Sequence, residues 1–245
     1  MKKCFFIPAF LLLCSSIFTY ANEQTDEKLL TSLANKYGSD KGSYNAKYHA
    51  GSHHYTRHYA KLFHEIRNKP LEMVEIGLNL SNFSNYASLN IWLDYFPNAN
   101  IYGIDINIFP FPNDRVILFQ GDQGSDPFWQ KFINDVPVSF DIVIDDGSHY
   151  SPHQQKTLGY LFPKLKSGGL YIIEDLHYTP QKEDKHCMVA FLKTLITKDL
   201  NSLQKLNRVP TDQLSYLIDQ VESIEFFDSA TFGPEAFAVI RKKKA

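Results

Sequence analysis

Five ionisable side chains follow two apolar runs in the middle of the sequence, at the point where each run ends. Asp145, Asp146 and His149 come after the first run, and Glu174 and Asp175 come after the second. One helix-length segment separates the runs, so we expect a strand, a crossover helix and a parallel strand, with both carboxyl ends at one sheet edge. Open α/β sheets bind ligands at that edge. Because carboxylate oxygens are the ligands that Mg²⁺ prefers, the pattern predicts a magnesium site here.

The elements that must position these side chains alternate between strands and helices. Parallel strands are predicted at 73–76, 101–104, 116–119, 142–144 and 170–173. Helices are predicted at 85–95, 127–135, 152–162 and 183–198, with Ser151 as the N-cap before Pro152. Two final apolar runs, 221–227 and 236–240, are too close for a crossover and should pair as an antiparallel hairpin. The order predicts an α/β fold with a doubly wound parallel sheet that ends in a hairpin.

The N-terminus has the pattern of a secretory signal peptide. Lys2 and Lys3 precede a nearly continuous apolar run that ends in Thr19-Tyr20-Ala21, a typical peptidase site, so we expect a signal at 1–21. An uncleaved membrane anchor is the alternative, because the run is close to the shortest transmembrane length. Residues 22–70 should form an N-terminal helical cap with helices at 27–35 and 53–67, and residues 71–245 the sheet domain.

Composition narrows the classes of partner. The formal net charge is −2 and no basic stripe is present, which argues against nucleic-acid binding. Cleavage after Ala21 would leave Cys187 as the single cysteine, so no internal disulfide would stabilise an exported protein. A membrane partner is expected only if the N-terminal segment stays as an anchor. The oligomeric state is left open, a homo-oligomer included.

Three further strand ends are candidates for cofactor contacts. Glu75-Ile76-Gly77 ends the first strand in a glycine turn, but the two other glycines of a dinucleotide fingerprint are missing, which argues against NAD. Asp105 ends the second strand and could accept both hydroxyls of a ribose. Asp122 follows the third strand and could lie near an adenine amino group. A tight turn, an exposed aspartate and a surface turn are the structural alternatives for these three positions.

The sequence resembles the metal-dependent sugar O-methyltransferases of macrolide biosynthesis, the mycinamicin type. The resemblance extends over about 33–175. The matching segments are Asp145-Asp146-Gly147-Ser148-His149, His153-Gln154, Thr157-Leu158, Leu161-Phe162-Pro163, Gly168-Gly169, Tyr171, Glu174-Asp175, Glu75-Ile76-Gly77, Gly103-Ile104-Asp105, Gly121-Asp122-Gln123, His54-Tyr55 and the stretch from Tyr37 to Gly42. The sequence departs from the family at Leu78-Asn79-Leu80, where a more glycine-rich loop is usual.

This resemblance implies a fold, two cofactors and a set of residue roles. The implied fold is the Rossmann-like class I methyltransferase fold, with S-adenosyl-L-methionine as methyl donor. Carried over by position, Asp146, Glu174 and Asp175 would hold Mg²⁺ and His149 would be the catalytic base. Glu75, Gly77, Asp105 and Asp122 would contact the cofactor. The implied activity is methylation of a small-molecule or glycan hydroxyl.

Several other interpretations remain open from the sequence. The cluster could consist of helix caps and solvated strand ends. The protein could also be a secreted, non-catalytic binding protein on a methyltransferase scaffold, or a metal-dependent hydrolase that needs no methyl donor. A second metal site among His49, His53, His54, His58 and His64 is disfavoured, because their spacing is irregular. Tyr48, Tyr55 and Tyr59 are expected to pack against the sheet, with a lid over the cofactor as the alternative.

Overall fold

The computed structural model describes residues 9–43, 52–78, 86–178, 187–209 and 211–245, with the backbone alone at 9–21 and 211–212. The strands are β1 Leu71–Ile76, β2 Ala99–Asp105, β3 Val116–Gln120, β4 Phe140–Asp145, β5 Leu165–Ile173, β6 Val221–Ser229 and β7 Gly233–Lys242. The helices are α1 Ala9–Tyr37, α2 Thr56–Phe63, α3 Ala87–Tyr95, α4 Asp126–Asp135, α5 Ser151–Leu161, α6 Met188–Thr197, α7 Leu200–Leu206 and α8 Thr211–Gln220.

The strands form one seven-stranded sheet in the order β3-β2-β1-β4-β5-β7-β6. Strands β1 to β5 are parallel, and β7 runs antiparallel to both β5 and β6. Both the doubly wound parallel sheet and the C-terminal hairpin are therefore confirmed. In the register, Asp145 lies opposite Ile76 on one side and Ile173 on the other. The carboxyl ends of β1, β4 and β5 are consequently level at one edge.

Alternate side chains along each strand fill two hydrophobic cores, because successive strand residues point to opposite faces of a sheet. Ile142 and Ile144 belong to one core with Tyr59 and Trp92, on the face covered by α1, α2 and α3. Val143 belongs to the other core with Leu158, on the opposite face. The position of a residue along its strand therefore decides which set of helices its side chain meets.

The N-terminal helices pack directly on the sheet domain. Asp26 in α1 is buried, accepts a hydrogen bond from the Tyr95 hydroxyl at 2.9 Å and pairs with Arg67 at 3.2 Å. Thr31 and Thr56 join α1 to α2 through a hydroxyl–hydroxyl bond of 2.7 Å. The helices α1 and α2, which lie in the segment predicted as a cap, thus cover one face of the sheet and share its core.

Several predicted helix boundaries are wrong. The helix predicted at 53–67 is only α2, and the one predicted at 27–35 lies inside α1, which extends from Ala9 without a break. The cap of α5 is Tyr150 and not Ser151, whose backbone already lies in the first helical turn with Pro152. Helices α7 and α8 were not expected. Asp199 caps α7 by accepting hydrogen bonds from two backbone N–H groups.

Some predictions fall outside the described residues. These are the first residues of the helices predicted at 85–95 and 183–198, the departing loop residues Asn79 and Leu80, and Tyr48 and His49. Within the part of the chain that the structure describes, no helix combines the length and the apolar character needed to span a membrane.

Candidate active site

Backbone hydrogen bonds hold the strand ends together where the candidate residues begin. The N–H of Gly77 donates to Ile104 at 2.9 Å, the N–H of Asp146 donates to Ile76 at 2.9 Å, and the N–H of Glu174 donates to Asp145 at 3.0 Å. The strand pairing therefore continues one residue beyond the ends of the strands. It places the backbones of Asp146 and Glu174 on a rigid part of the sheet edge.

Three of the predicted residues converge at this edge. One potential ligand atom from each of Asp146, His149 and Asp175 lies within 4.8 Å of the other two. The His149 Nε2 is 3.9 Å from the Asp175 Oδ2. Both His149 and Asp175 have left-handed backbones, with φ of +54° and +55°. Non-glycine residues rarely adopt this conformation, and such strain concentrates at functional sites.

Lys41 joins this cluster, although no sequence pattern predicted a role for it. Its side chain is 3% exposed, and its ammonium donates to the Asp146 Oδ2 and, at 2.8 Å, to the Glu174 Oε2. The ammonium thus lies between two of the predicted metal ligands. The segment from Tyr37 to Gly42 was part of the family resemblance, and that was the only signal that could have indicated Lys41.

Two buried tyrosines of the N-terminal cap complete the arrangement. The Tyr55 hydroxyl donates to the Asp175 Oδ1 at 2.9 Å, and the Tyr59 hydroxyl donates to the Glu174 Oε1. Burial and the adjacent carboxylates raise the pKa of both phenols, so they stay protonated donors. The expectation that these tyrosines pack against the sheet is confirmed. In addition, each fixes the orientation of one predicted metal ligand.

The electrostatics of the cluster favour a bound cation. Burial, and then repulsion by Asp146, raise the pKa of Glu174 well above its usual value. Burial also raises the pKa of Asp146, against the attraction of Lys41. Burial opposes the ionisation of Asp175, yet nearby His53 and His149 hold its pKa below the usual value. Three largely buried carboxylates around one ammonium fit a hard divalent cation, which would favour their ionised forms.

Asp145 does not join the cluster, contrary to the expectation. It is fully buried, and its Oδ1 accepts a hydrogen bond of 2.8 Å from Gln123, which also donates to Thr157 at 3.0 Å. Burial raises the pKa of Asp145 to about 6. As the last residue of β4 it points to the face opposite Asp146. Its neighbour Gln123 accepts from the N–H of Ser148 at 2.9 Å and thereby supports the loop that carries His149.

A cavity of about 430 Å³ opens beside the cluster at the same sheet edge. Gly77, Asp105 and Asp122 line it, together with Asp146 and His149. Three of the four predicted cofactor residues therefore surround one cavity that adjoins the metal and base candidates. A cleft of this size, lined by both polar and apolar residues, is typical of small-molecule sites.

The turn after β1 requires glycine. Gly77 has φ of +83°, and a Cβ at this position would lie 1.9 Å from the carbonyl oxygen of Asp146. Asp105, at the end of β2, is 9% exposed and accepts backbone N–H groups from Leu78 and Asn107, each at 2.8 Å. The carboxylate of Asp105 is thus held in a fixed orientation beside the turn.

Glu75 is the predicted cofactor residue that does not line the cavity. It is fully buried on the α3 face of the sheet, where its Oε2 accepts a hydrogen bond of 2.8 Å from Ser88. Burial raises its pKa to about 7. Ser88 lines the cavity, whereas Glu75 does not. Glu75 is therefore linked to the cavity only through its hydrogen bond with Ser88.

One of the disfavoured histidines does approach the cluster. Single atoms of His53, Asp175 and His177 lie within 4.8 Å of one another. His53 Nδ1 is 3.7 Å from the Asp175 Oδ1, and the His177 ring stacks on Phe232 with centroids 3.8 Å apart. These rings form the side of the cluster that faces the β6–β7 turn.

Comparison with known proteins gives clear relatives but no matching family model. The chain is 31% identical over 182 residues to mycinamicin VI 2''-O-methyltransferase of Micromonospora griseorubida, which is 69% of this chain and 45% of that protein. It is 37% identical over 177 residues to 8-demethyl-8-alpha-L-rhamnosyl tetracenomycin-C 2'-O-methyltransferase of Streptomyces olivaceus, which is 68% of this chain and 44% of that protein. The chain therefore spans less than half the length of these curated relatives.

A solved structure extends the similarity to the fold. The MycE methyltransferase from the mycinamycin biosynthetic pathway, in complex with Mg, SAH and mycinamycin VI, matches with a TM-score of 0.67 at 28% identity. The match covers 88% of this chain and 54% of that one. These findings confirm both the predicted fold and the resemblance to sugar O-methyltransferases of macrolide biosynthesis.

Proposed function

We propose that this chain is an S-adenosylmethionine- and Mg²⁺-dependent O-methyltransferase that acts on a hydroxyl of a sugar or another polyol. The observation that carries the proposal is the convergence of Asp146, His149 and Asp175 beside a cavity at the carboxyl ends of the parallel strands. The similarity to mycinamicin and tetracenomycin O-methyltransferases supports the reaction class. The relatives are longer than this chain, so we assign the acceptor only to the class of sugars and other polyols.

The proposed reaction needs help to remove a proton, because a sugar hydroxyl is about as weak an acid as water. Asp146, Glu174 and Asp175 would hold Mg²⁺, which stabilises negative charge that develops on a coordinated hydroxyl oxygen. Tyr55 and Tyr59 keep Asp175 and Glu174 in place through their hydroxyl hydrogen bonds. The ligand carboxylates are therefore oriented before any metal binds.

His149 is the proposed proton acceptor. Its Nε2 faces Asp175 across 3.9 Å, at the point where the carboxylates converge. Its Nδ1 is buried and has no hydrogen-bond partner among the described residues, so no contact there fixes the tautomer. The ring edge meets Tyr178, with the ring centroids 5.6 Å apart. These contacts support Nε2 as the atom that would accept the proton of the acceptor hydroxyl.

The cavity is the proposed site of the methyl donor. Two backbone N–H groups already orient Asp105, and a carboxylate can accept further hydrogen bonds beyond these, here from the ribose hydroxyls. Gly77 lines this cavity, and the absence of a Cβ lets its turn lie against the carbonyl oxygen of Asp146. Asp122, whose Oδ1 accepts from the N–H of Gly124 at 2.7 Å, would face the adenine end.

We further propose that residues 1–21 direct export and are removed, which would give a secreted or periplasmic protein, with membrane anchorage as the alternative. The basic Lys2 and Lys3, the apolar run and the Thr19-Tyr20-Ala21 site support this proposal. N-terminal sequencing of protein from a secreting host tests it. A mature chain that starts at Asn22 is expected, and an intact Met1 on membrane-bound protein would favour the anchor.

The experiment that tests the function combines donor binding with methyl transfer. Calorimetry with S-adenosylmethionine should show saturable binding, and methyl-labelled donor should transfer label to a hydroxyl in a panel of glycosides, located by mass spectrometry. Binding without transfer to any acceptor would favour a binding protein. Hydrolysis of the glycosides without any need for the donor would favour the hydrolase.

A further inference from the structure

Lys41 is a buried cation in direct contact with the proposed metal ligands, and the proposed reaction gives it no task. Its side chain is 3% exposed and contacts Asp146 and Glu174 together. Its own backbone is fixed, since the N–H of Thr56 donates to the Lys41 carbonyl at 3.1 Å and the N–H of His53 donates to Asp40 at 2.8 Å. The ammonium is therefore directed into the cluster by the packing of the N-terminal cap on the sheet.

We infer that Lys41 is an internal counter-cation that competes with the divalent metal for Asp146 and Glu174. This inference rests on the proposed function, which makes those two carboxylates metal ligands. Without metal, the ammonium stabilises two carboxylates that would otherwise repel each other. A metal ion that binds the same carboxylate oxygens must displace the ammonium of Lys41 from them. The loss of these ion pairs reduces the net binding energy of the metal.

The side chain of Lys41 is suited to such an exchange. Lysine carries a compact charge on a flexible stem, so its ammonium can move without movement of the backbone. Asp40 lines the same cavity, and its side chain is 43% exposed. It offers the ammonium another carboxylate when the metal takes Asp146 and Glu174. A lysine that only braces the cluster would have the opposite effect, because its loss would disorder the ligands and weaken metal binding.

The sign of the change in metal affinity separates these two roles. Mn²⁺ serves as the probe for the magnesium site, and its binding to the full chain is measured by calorimetry and by the electron paramagnetic resonance signal of the free ion. We expect Lys41→Met and Lys41→Gln to bind Mn²⁺ at least tenfold more tightly than the wild type. Both variants should also gain more thermal stability from Mn²⁺. Lys41→Arg keeps the charge and should bind no more tightly than the wild type.

The controls distinguish failure of this inference from failure of the proposed metal site. Lys36→Met removes an exposed lysine paired with Asp94 at 3.1 Å and should leave Mn²⁺ affinity unchanged. Asp146→Asn should no longer bind Mn²⁺.

The outcomes separate the two proposals. If Asp146→Asn loses Mn²⁺ binding but neither Lys41→Met nor Lys41→Gln binds Mn²⁺ more tightly, the proposed role of Lys41 is wrong and the proposed metal site is retained. If Asp146→Asn binds Mn²⁺ like the wild type, or no protein binds it, both proposals fail. If Lys41→Met does not fold, the comparison of Lys41→Gln with Lys41→Arg decides.

Discussion

At the scale of single residues, His149 and the carboxylates have separable tasks. His149 lies shortly after the end of β4 with a left-handed backbone and is 3.9 Å from Asp175. Its proposed task is proton removal, whereas Asp146, Glu174 and Asp175 hold the cation. A change at His149 should therefore affect the rate far more than the binding of metal or donor.

We predict that His149→Ala lowers kcat by about 10²–10⁴-fold, the usual contribution of a general base. Positioning and metal polarisation survive, so some activity remains. Calorimetry should find Mn²⁺ and S-adenosylmethionine affinities within a few-fold of the wild type. A wild-type rate in His149→Ala would show that another group removes the proton of the acceptor hydroxyl.

Asp105 is the residue on which donor binding should depend most. Asp105→Ala removes the carboxylate beside the Gly77 turn and should weaken S-adenosylmethionine binding at least tenfold, about 1.4 kcal/mol. Asp135→Ala is the matched control, because Asp135 lies on α4 and its partner is the exposed Lys131. Calorimetric titration of both variants checks the prediction, and equal affinities would reject the role of Asp105.

At the scale of elements, the turn between β1 and α3 depends on a close approach to the end of β4. Gly77→Ala would bring a Cβ to 1.9 Å from the Asp146 carbonyl oxygen in a left-handed backbone. Either the turn or the end of β4 must then move. The donor cavity and the proposed metal site meet at this point, so the movement would disturb both. We predict a loss of thermal stability together with weaker donor binding.

Gly233→Ala is the matched control for this prediction. Gly233 also has a left-handed backbone, with φ of +78°, but no atom of the described residues, apart from its chain neighbours, lies within 4 Å of the position that a Cβ would occupy there. It should therefore incur the backbone strain alone and keep donor affinity. Thermal unfolding and donor calorimetry of the two variants distinguish the effect of backbone strain from the steric clash with Asp146. Equal losses in both would show that the close approach to Asp146 has no effect.

The strand ends were predictable from sequence because apolar runs that stop at carboxylates have a local signature. Asp146, Glu174 and Asp175 are examples, and the structure places all three at one sheet edge. Asp145 shows the limit, because strand alternation turns it to Gln123 and away from its neighbour Asp146. The same alternation turns Glu75 towards Ser88 and out of the cavity lining.

The contributions of the N-terminal cap were not predictable from local patterns. Lys41 meets Asp146 and Glu174 across separations of 105 and 133 residues, and Tyr59 meets Glu174 across 115. Such pairings depend on how the cap packs on the sheet, which no short motif encodes. The hydrogen-bond partners of Lys41, Tyr55 and Tyr59 therefore had to come from the tertiary structure, although the packing of both tyrosines against the sheet was expected.

At the scale of the whole molecule, the described part of the cap and the sheet act as one unit around the site. The cap supplies Lys41, Tyr55 and Tyr59, and the sheet supplies the three carboxylates and His149. The chain achieves this within a length that matches less than half of its curated relatives.

Metal-dependent methyl transfer is the proposed activity, and the methyl-transfer rate measured with and without a chelator tests it. Metal-stripped protein with labelled donor and an accepted glycoside should be inactive, and Mg²⁺ should restore turnover. Asp175→Ala should remain inactive at saturating Mg²⁺, while it still binds S-adenosylmethionine. Full activity in excess chelator, or a wild-type rate from Asp175→Ala, would show that methyl transfer does not depend on a metal at this site.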